Sequence, residues 1–306
     1  MTGEPTVTVL MAVHEGERHL RESIESILGQ TFRDFELLVV DDASTDGTAA
    51  VLAGYDDPRI RTVRNPENLG LTRSLNRGLE QARGRLVARQ DADDVSEPPR
   101  LERQVAFLEA NPDVPLVASA YLRIDDSGAE VGPRPVPCDP RSIRRRLLLL
   151  NAFAHSSVVF RREAVEALGG YREAFPFAQD YDLWSRLART APLAALPEPL
   201  VRYREAAGSM TTDLAPSVDD VDRVSRDNIR RLGEGGERLA RTIDREAAWR
   251  LLLAGGNGLG RRRAARAARD LLALERAFAR REGIGGRSRV ALAFQLVRAL
   301  AKARRG

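Results

Sequence analysis

Residues 85–94 read RLVARQDADD. The first half, Arg85–Arg89, has the length and apolar content of a buried strand, and the second half crowds Asp91, Asp93 and Asp94 at its end. Carboxylates this close raise one another's energy, and burial raises it further, unless a positive partner neutralises them. A divalent cation carrying a phosphate-bearing ligand meets that need, because hard cations take oxygen ligands and keep positions open for phosphate oxygens.

The flanking sequence supplies a scaffold for such a site. Thr6–Val13 predicts a strand, and about 16–28 a helix with Leu20, Ile24, Ile27 and Leu28 on one face. Glu36–Val40 predicts a second strand ending at Asp41-Asp42, with Ser44, Thr45 and Asp46 as N-caps of a helix running to Ala53. Arg59–Val63 is a third strand, Leu71–Ala82 a helix, and Arg85–Arg89 the fourth strand. Short apolar strands separated by helices predict an α/β fold with a mainly parallel, Rossmann-like central sheet covered on both faces. Ligands of open parallel sheets bind beyond the carboxyl ends of the strands. Here those ends carry His14-Glu15, Asp41-Asp42 and Asp91-Ala92-Asp93. Asp41 and Asp42 read equally well as helix caps, and Asp94 reads as a cap or loop residue. A calcium loop starting at Asp91 fails at Val95 and Ser96 and is interrupted by Pro98-Pro99.

Further along, a Pro-rich stretch between Val131 and Pro140 marks a loop. A helix near Ile143–Leu150, a strand at Ser156–Phe160, a helix at Arg162–Leu168 and another at Asp180–Ala188 follow. Beyond Pro216 strand signals give way to Arg/Ala/Leu-rich helix broken by glycine clusters.

Composition narrows the chemistry. Cys138 is the single cysteine of 306 residues, which excludes an intrachain disulfide and a thiolate metal site, and the three histidines are too scattered for zinc. No basic and apolar leader opens the chain and no run approaches a bilayer span, so a cytoplasmic protein is expected. The net charge of +4 conceals an asymmetry: Arg223–Gly306 holds 22 Lys/Arg against 8 Asp/Glu, leaving −10 on the rest. A basic tail predicts contact with an anionic partner. Within it, 288–305 (SRVALAFQLVRALAKARR) spaces Val290, Phe294, Val297 and Ala301 as one helical stripe among basic residues. That pattern suits first a helix packed on the domain or on a second copy in a homodimer, and second a helix peripheral to an anionic membrane. Nucleic acid is not expected, since no binding motif accompanies the charge and aromatics make up 5%.

Taken in order, VTVLMAVHEGERHLRESIESILGQTFRDFELLVVDDASTDGT, NLGLTRSLNRGLEQARGRLVARQDADD, HSSVVFRREAVEALGGYRE and QDYDLWSRL resemble the successive motifs of family 2 glycosyltransferases over roughly residues 6–211. The resemblance implies a GT-A fold and transfer of a sugar from a nucleotide diphosphate donor, with inversion. It implies a catalytic domain over 1–216, with a nucleotide-sugar half at about 1–115 and an acceptor half at about 116–216, and a basic helical region over 217–306. Ala12, Val13, His14 and Glu15 are implied to line the nucleotide pocket, Asp42 to bond the base, Arg73 to approach the nucleotide and Asp91 to face the ribose. Asp93, last of the D-x-D triplet, is implied to ligate Mn²⁺ or Mg²⁺ on the diphosphate, and Asp180 to be the general base. A UDP- or dTDP-type donor is expected rather than a GDP-type one. The acceptor is expected to be a glycan or a lipid-linked hydroxyl of cell-envelope polysaccharide synthesis.

Two departures stand out. Gln179-Asp180 replaces the family's Glu-Asp, and 205–209 (EAAGS) lacks the histidine that completes the metal site in many members, leaving either Asp93 with donor phosphates and water, or Glu205 as a substitute. Two other classes compete: a nucleotidyltransferase, disfavoured by the lack of an early Gly-rich, lysine-bearing loop, and a non-catalytic nucleotide-sugar binder, disfavoured by the presence of both Asp93 and Asp180.

Overall fold

A computed structural model describes residues 3–205, 214–244, 247–248 and 261–283. The segment 288–305 and the stretch 206–209 lie outside the described residues.

The expected parallel sheet is present. Strands β1 (Val7–Val13), β2 (Phe35–Asp41) and β3 (Ile60–Arg64) run parallel, and β4 (Leu86–Asp91) joins β1 on its other side, also parallel. Every residue of β1 and β2 is buried, as the unbroken apolar runs require for strands covered on both faces. Helix α1 (Leu20–Leu28) buries Leu20, Ile24 and Ile27. Helices α2 (Thr48–Ala53) and α3 (Leu71–Gln81) complete this half. Gly78 lets α3 lie close on the sheet: a Cβ there would stand 2.3 Å from the Leu10 side chain.

The order β3-β2-β1-β4 reverses direction between β1 and β4, which creates a crevice at their carboxyl ends. Beyond β4 the sheet becomes mixed. Strand β5 (Val95–Ser96), helix α4 (Arg100–Ala110), strands β6 (Leu116–Ile124) and β7 (Glu130–Arg134), and helix α5 (Pro140–Arg146) follow in the chain. After a 3-10 turn at His155–Ser157 come β8 (Val159–Arg161), helices α6 (Arg162–Glu166) and α7 (Gln179–Thr190), and β9 (Ala194–Arg204). The full order is β3-β2-β1-β4-β8-β6-β9-β5, with β8 antiparallel to β4 and β6, β9 parallel to β6, and β7 on β6.

The structure adds β5, β6, β7, β9 and α4 to the elements expected from the sequence. β9 escapes a pattern search because Pro197 and Pro199 interrupt it where its register on β6 shifts. Helix α5 ends earlier than expected, and the 147–150 apolar run belongs to a second hydrophobic cluster.

The described residues form two compact units, one from Met1–Arg144 with Asn151–Asp220 and one from Arg145–Leu150 with Val221–Gly306. The second packs Leu148, Ile229, Leu239, Ile243, Leu271, Leu274 and Phe278 between α8 (Leu214–Arg230), α9 (Glu234–Thr242) and the helix Arg261–Arg281. Among the described residues no helix is long and apolar enough to cross a membrane.

Candidate active site

Strand register brings the predicted residues together at one edge. Ala12 pairs with Val40 on one side and Asp91 on the other, and Val13 pairs with Asp41. Ala12 and Val13 are buried at the floor, while His14 and Glu15 stand exposed on the rim. The chain turns sharply here. Glu15 (φ 53°) and Ala43 (φ 56°) are the two non-glycine residues in the left-handed region among the described residues, a strained conformation that the surrounding bonds must hold. Those bonds run between the two loops: Glu15 N donates to Ser44 Oγ (3.1 Å), and Thr45 N donates to Glu15 Oε1 (2.7 Å).

Asp41 and Asp42 divide the work that the sequence left open. Asp41 accepts a bond from Ser44 N at 2.9 Å and forms an ion pair with Arg64, which makes it a turn-holding residue. Asp42 is buried and accepts bonds from Asn65 Nδ2 (2.6 Å), Leu69 N (2.8 Å) and Gly70 N (2.9 Å). Burial pushes its carboxyl up, but these donors outweigh it and hold the group below the usual carboxylate range. Asp42 therefore fixes the 65–70 loop against β2. His14 seals the same loop, through Asp42 O (2.8 Å) and Asn68 Nδ2 (3.0 Å).

The DADD run resolves into three unlike carboxyls. Asp91 is paired with the fully buried Arg89 and exchanges two bonds with Ser156, both 2.9 Å. Burial raises it, yet the Arg89 charge and the Ser156 hydroxyl bring it below the usual range. Asp94 is buried, and Oδ1 accepts a bond from Arg204 N (2.7 Å), joining the loop to β9. Burial, then Asp93 and Asp91, push Asp94 well up, and its bond to β9 makes it a structural residue. Asp93, between them in the chain, is half-buried. Its carboxyl takes no bond from another described residue, and burial followed by Asp91 raises it to about 6.

Beneath the run lies a residue the sequence did not flag. Arg100, fully buried, donates to Gln90 Oε1 (2.8 Å), Ser96 Oγ (2.7 Å), Arg89 O (2.8 Å) and Gln104 Oε1 (3.1 Å). Its acceptors are neutral, and burial lowers it to about 9.

Asp180 opens α7, where the first-turn N–H groups favour a carboxylate. Oδ1 accepts from Tyr181 N and Oδ2 from Asn151 Nδ2, both at 2.6 Å. Burial nevertheless raises it to about 6, and the charge of Asp91 adds to the rise, so the two carboxylates share one electrostatic site. Asp182, two residues on, is buried against Arg186 (2.8 Å) and is structural. Nearby, His155 Nε2 and the Tyr171 hydroxyl share a bond of 3.0 Å, with Trp184 edge-on to both rings. Burial lowers His155 to about 3, so it is a neutral structural histidine. Asn151 is the site residue that sequence reasoning missed: a lone asparagine in a loop carries no pattern.

Arg73 pairs with Glu173 at 2.8 Å across the surface, both side chains more than half exposed. Beside it on α3, Asn76 clamps the Tyr171 backbone: Nδ2 donates to Tyr171 O (2.8 Å) and Oδ1 accepts from Tyr171 N (2.9 Å). Gly170 (φ 70°) is needed there, since a Cβ would stand 2.7 Å from Asn76 Oδ1.

The donor set fits a hard divalent cation. Asp93 offers an unclaimed carboxylate beside a second negative charge, while Asp91 and Asp94 are committed to protein partners. Among the described residues no three His, Cys, Asp or Glu side chains are grouped to hold a metal alone, so a cation here needs phosphate oxygens. Glu205 pairs with Arg123 at 3.3 Å.

Comparison with known proteins agrees with this geometry. The family model "Glycosyl transferase family 2" matches residues 8–169, more than half of the chain. EpsE of Bacillus subtilis, provisionally named a glycosyltransferase, is 41% identical over 192 residues, covering 61% of this chain and 68% of EpsE. The amylovoran biosynthesis glycosyltransferase AmsE of Erwinia amylovora is 33% identical over 207 residues, 66% of this chain and 76% of AmsE. The solved structure of TarS residues 1–349 from S. aureus with UDP-GlcNAc superposes with a TM-score of 0.65 at 17% identity, covering 97% of this chain and 89% of TarS. A mannosyltransferase of Pyrobaculum calidifontis with GDP-Man and Mn²⁺ superposes at 0.50 and 20% identity, covering 99% and 88%. The expected mainly parallel α/β sheet with GT-A-like neighbours is thus present, and the chain belongs to glycosyl transferase family 2.

Proposed function

We propose that this glycosyltransferase is an inverting, divalent-metal-dependent enzyme. It transfers a sugar from a UDP- or dTDP-type donor to a hydroxyl of a glycan or lipid-linked acceptor in envelope polysaccharide synthesis. The observation that carries the reading is Asp180, a carboxylate raised to about 6 at the crevice edge and electrostatically joined to the DADD run. A base of that strength is ionised at neutral pH yet accepts a proton readily. The polysaccharide assignment follows AmsE, and the uridine donor follows the UDP-GlcNAc bound by TarS.

In this mechanism the loops after β1 and β2 hold the nucleotide, with Ala12 and Val13 as floor, His14 and Glu15 as rim, and Asp42 fixing the 65–70 loop toward the base. Asp91, locked by Arg89 and Ser156, faces the ribose. Asp93 holds Mn²⁺ or Mg²⁺, which when bound neutralises charge developing on the leaving diphosphate. Asp180 takes the acceptor proton as its oxygen attacks the anomeric carbon from the face opposite the diphosphate. Asn151 and Tyr181 N keep its carboxylate in one orientation meanwhile. Residues 1–216 carry this chemistry, and 217–306 form the basic helical region.

Thermal unfolding tests the donor site. UDP with Mn²⁺ raises the unfolding temperature, UDP alone or Mn²⁺ alone raises it little, and Asp93→Asn removes the joint effect. No stabilisation by uridine, thymidine or guanosine diphosphate with metal overturns the reading.

A further inference from the structure

The helix Arg261–Arg281 carries a row of arginines of which only Arg266 has a hydrogen bond to the rest of the described residues, Nη2 donating to Thr242 O at 3.1 Å. At 3.6 residues per turn, Arg262, Arg266, Arg269, Arg276 and Arg280 fall within an arc of about 80°. The stripe runs for roughly 27 Å, and the only other residue in its arc is Ala273. All five arginines are exposed. The buried residues Ala264, Ala267, Ala268, Leu271, Leu274 and Phe278 centre on the opposite side, so the stripe is the outermost line of the helix. Among the described residues none of the five makes an ion pair, whereas Arg263, off the stripe, pairs with Asp244 at 2.6 Å. Of the two acids of this helix, Glu275 pairs with Arg145 on the buried side, and Asp270, outside the arc, feels the charges of Arg266 and Arg269 without forming an ion pair with either.

Such a row is unfavourable for the helix itself. Arg262 and Arg266, Arg266 and Arg269, and Arg276 and Arg280 are like charges three or four residues apart, which repel on a helix surface. A face serving solubility alone mixes both signs.

We propose that this stripe is a docking surface for an anionic lipid bilayer. A straight row of guanidiniums on a convex helix can meet a plane of headgroup phosphates along its whole length, with each residue adding to the attraction. Nucleic acid is disfavoured by the same geometry. The stripe contains no aromatic residue on which a base could stack, and Phe278 faces the buried core. The surface is distinct from the 288–305 segment and independent of the donor chemistry.

Flotation of the full chain with vesicles at physiological ionic strength tests it. The probes are pure phosphatidylcholine and the same lipid with one-third phosphatidylglycerol. Binding is expected to the anionic vesicles only. The combined substitution Arg262→Gln, Arg269→Gln and Arg276→Gln is expected to weaken it roughly 100-fold, with the unfolding temperature and transfer to a soluble acceptor unchanged. Unaltered binding by the triple variant, equal binding to neutral vesicles, or full displacement of the vesicles by a stoichiometric amount of duplex DNA or RNA each overturns the proposal. The 288–305 segment is intact in both proteins, so binding through it alone leaves the variant equal to the parent.

Discussion

At the scale of single residues, function depends on how differently the fold treats chemically identical carboxyls. Asp42, Asp91, Asp93, Asp94 and Asp180 share one side chain, yet two are held below the usual range and three are pushed above it. The balance between burial and the donors and charges nearby decides which. Asp42 has three short hydrogen bonds, whereas Asp93 has none from another described side chain. For Asp180→Asn the expected outcome is a fall in transfer rate of about 10²–10⁴-fold with UDP binding retained; unchanged transfer would remove Asp180 from the mechanism. Because the ionised form is the base, the wild-type rate should fall tenfold per pH unit below about 6. Asn151 lowers the Asp180 carboxyl by donating to it. Asn151→Ala is therefore expected to move that kinetic ionisation upward as well as slow transfer. A structural role alone would lower the rate and leave the pH profile in place.

At the scale of elements, the site is assembled by side chains reaching between segments far apart in sequence. Arg204 of β9 donates to Asp93 O (2.8 Å) and Glu22 of α1 (2.6 Å), so the loop carrying the DADD run is held from behind by the last strand. Asn76 ties α3 to the loop that precedes α7 and its Asp180. Replacing Asn76 by Ala leaves both the N–H and the C=O of Tyr171 without their partner, a cost of about 1–3 kcal/mol. The expected result in denaturant titration is a lower midpoint with unchanged slope, and in kinetics a larger loss in transfer than in UDP binding. Equal losses in both would mean the clamp supports the fold only. The elements themselves were unequally legible. β1, β2 and β4 announce themselves because strands buried on both faces must be apolar throughout. β5 has two residues and β9 carries two prolines, so their existence depends on partners that no local pattern encodes.

For the molecule as a whole, the raised carboxyls link catalysis to stability. A carboxyl raised in the folded state favours the fold in its protonated form. Its contribution is intact below the unfolded value near 3.8 and is lost as pH rises through about 6. Lowered carboxyls such as Glu36, Asp42 and Asp57 act in the opposite sense, so the difference between two proteins isolates the effect. Asp180→Asn should unfold at a higher temperature than the parent at pH 8 and at the same temperature near pH 4; a difference independent of pH would refute the assigned ionisation. The sequence by itself determined the parallel core, the ordered family motifs, and the concentration of acid at the strand ends, because apolar periodicity and carboxylate spacing are local properties. Only the tertiary structure decided which carboxyl does what. Asp41 went to Arg64, Asp94 to β9, Asp91 to Arg89 and Ser156, and Asp180 to Asn151, while the Asp93 carboxyl took no bond from another described residue. Ionisation is set by burial and by neighbours brought from across the chain, and neither is written in the residues adjacent to it.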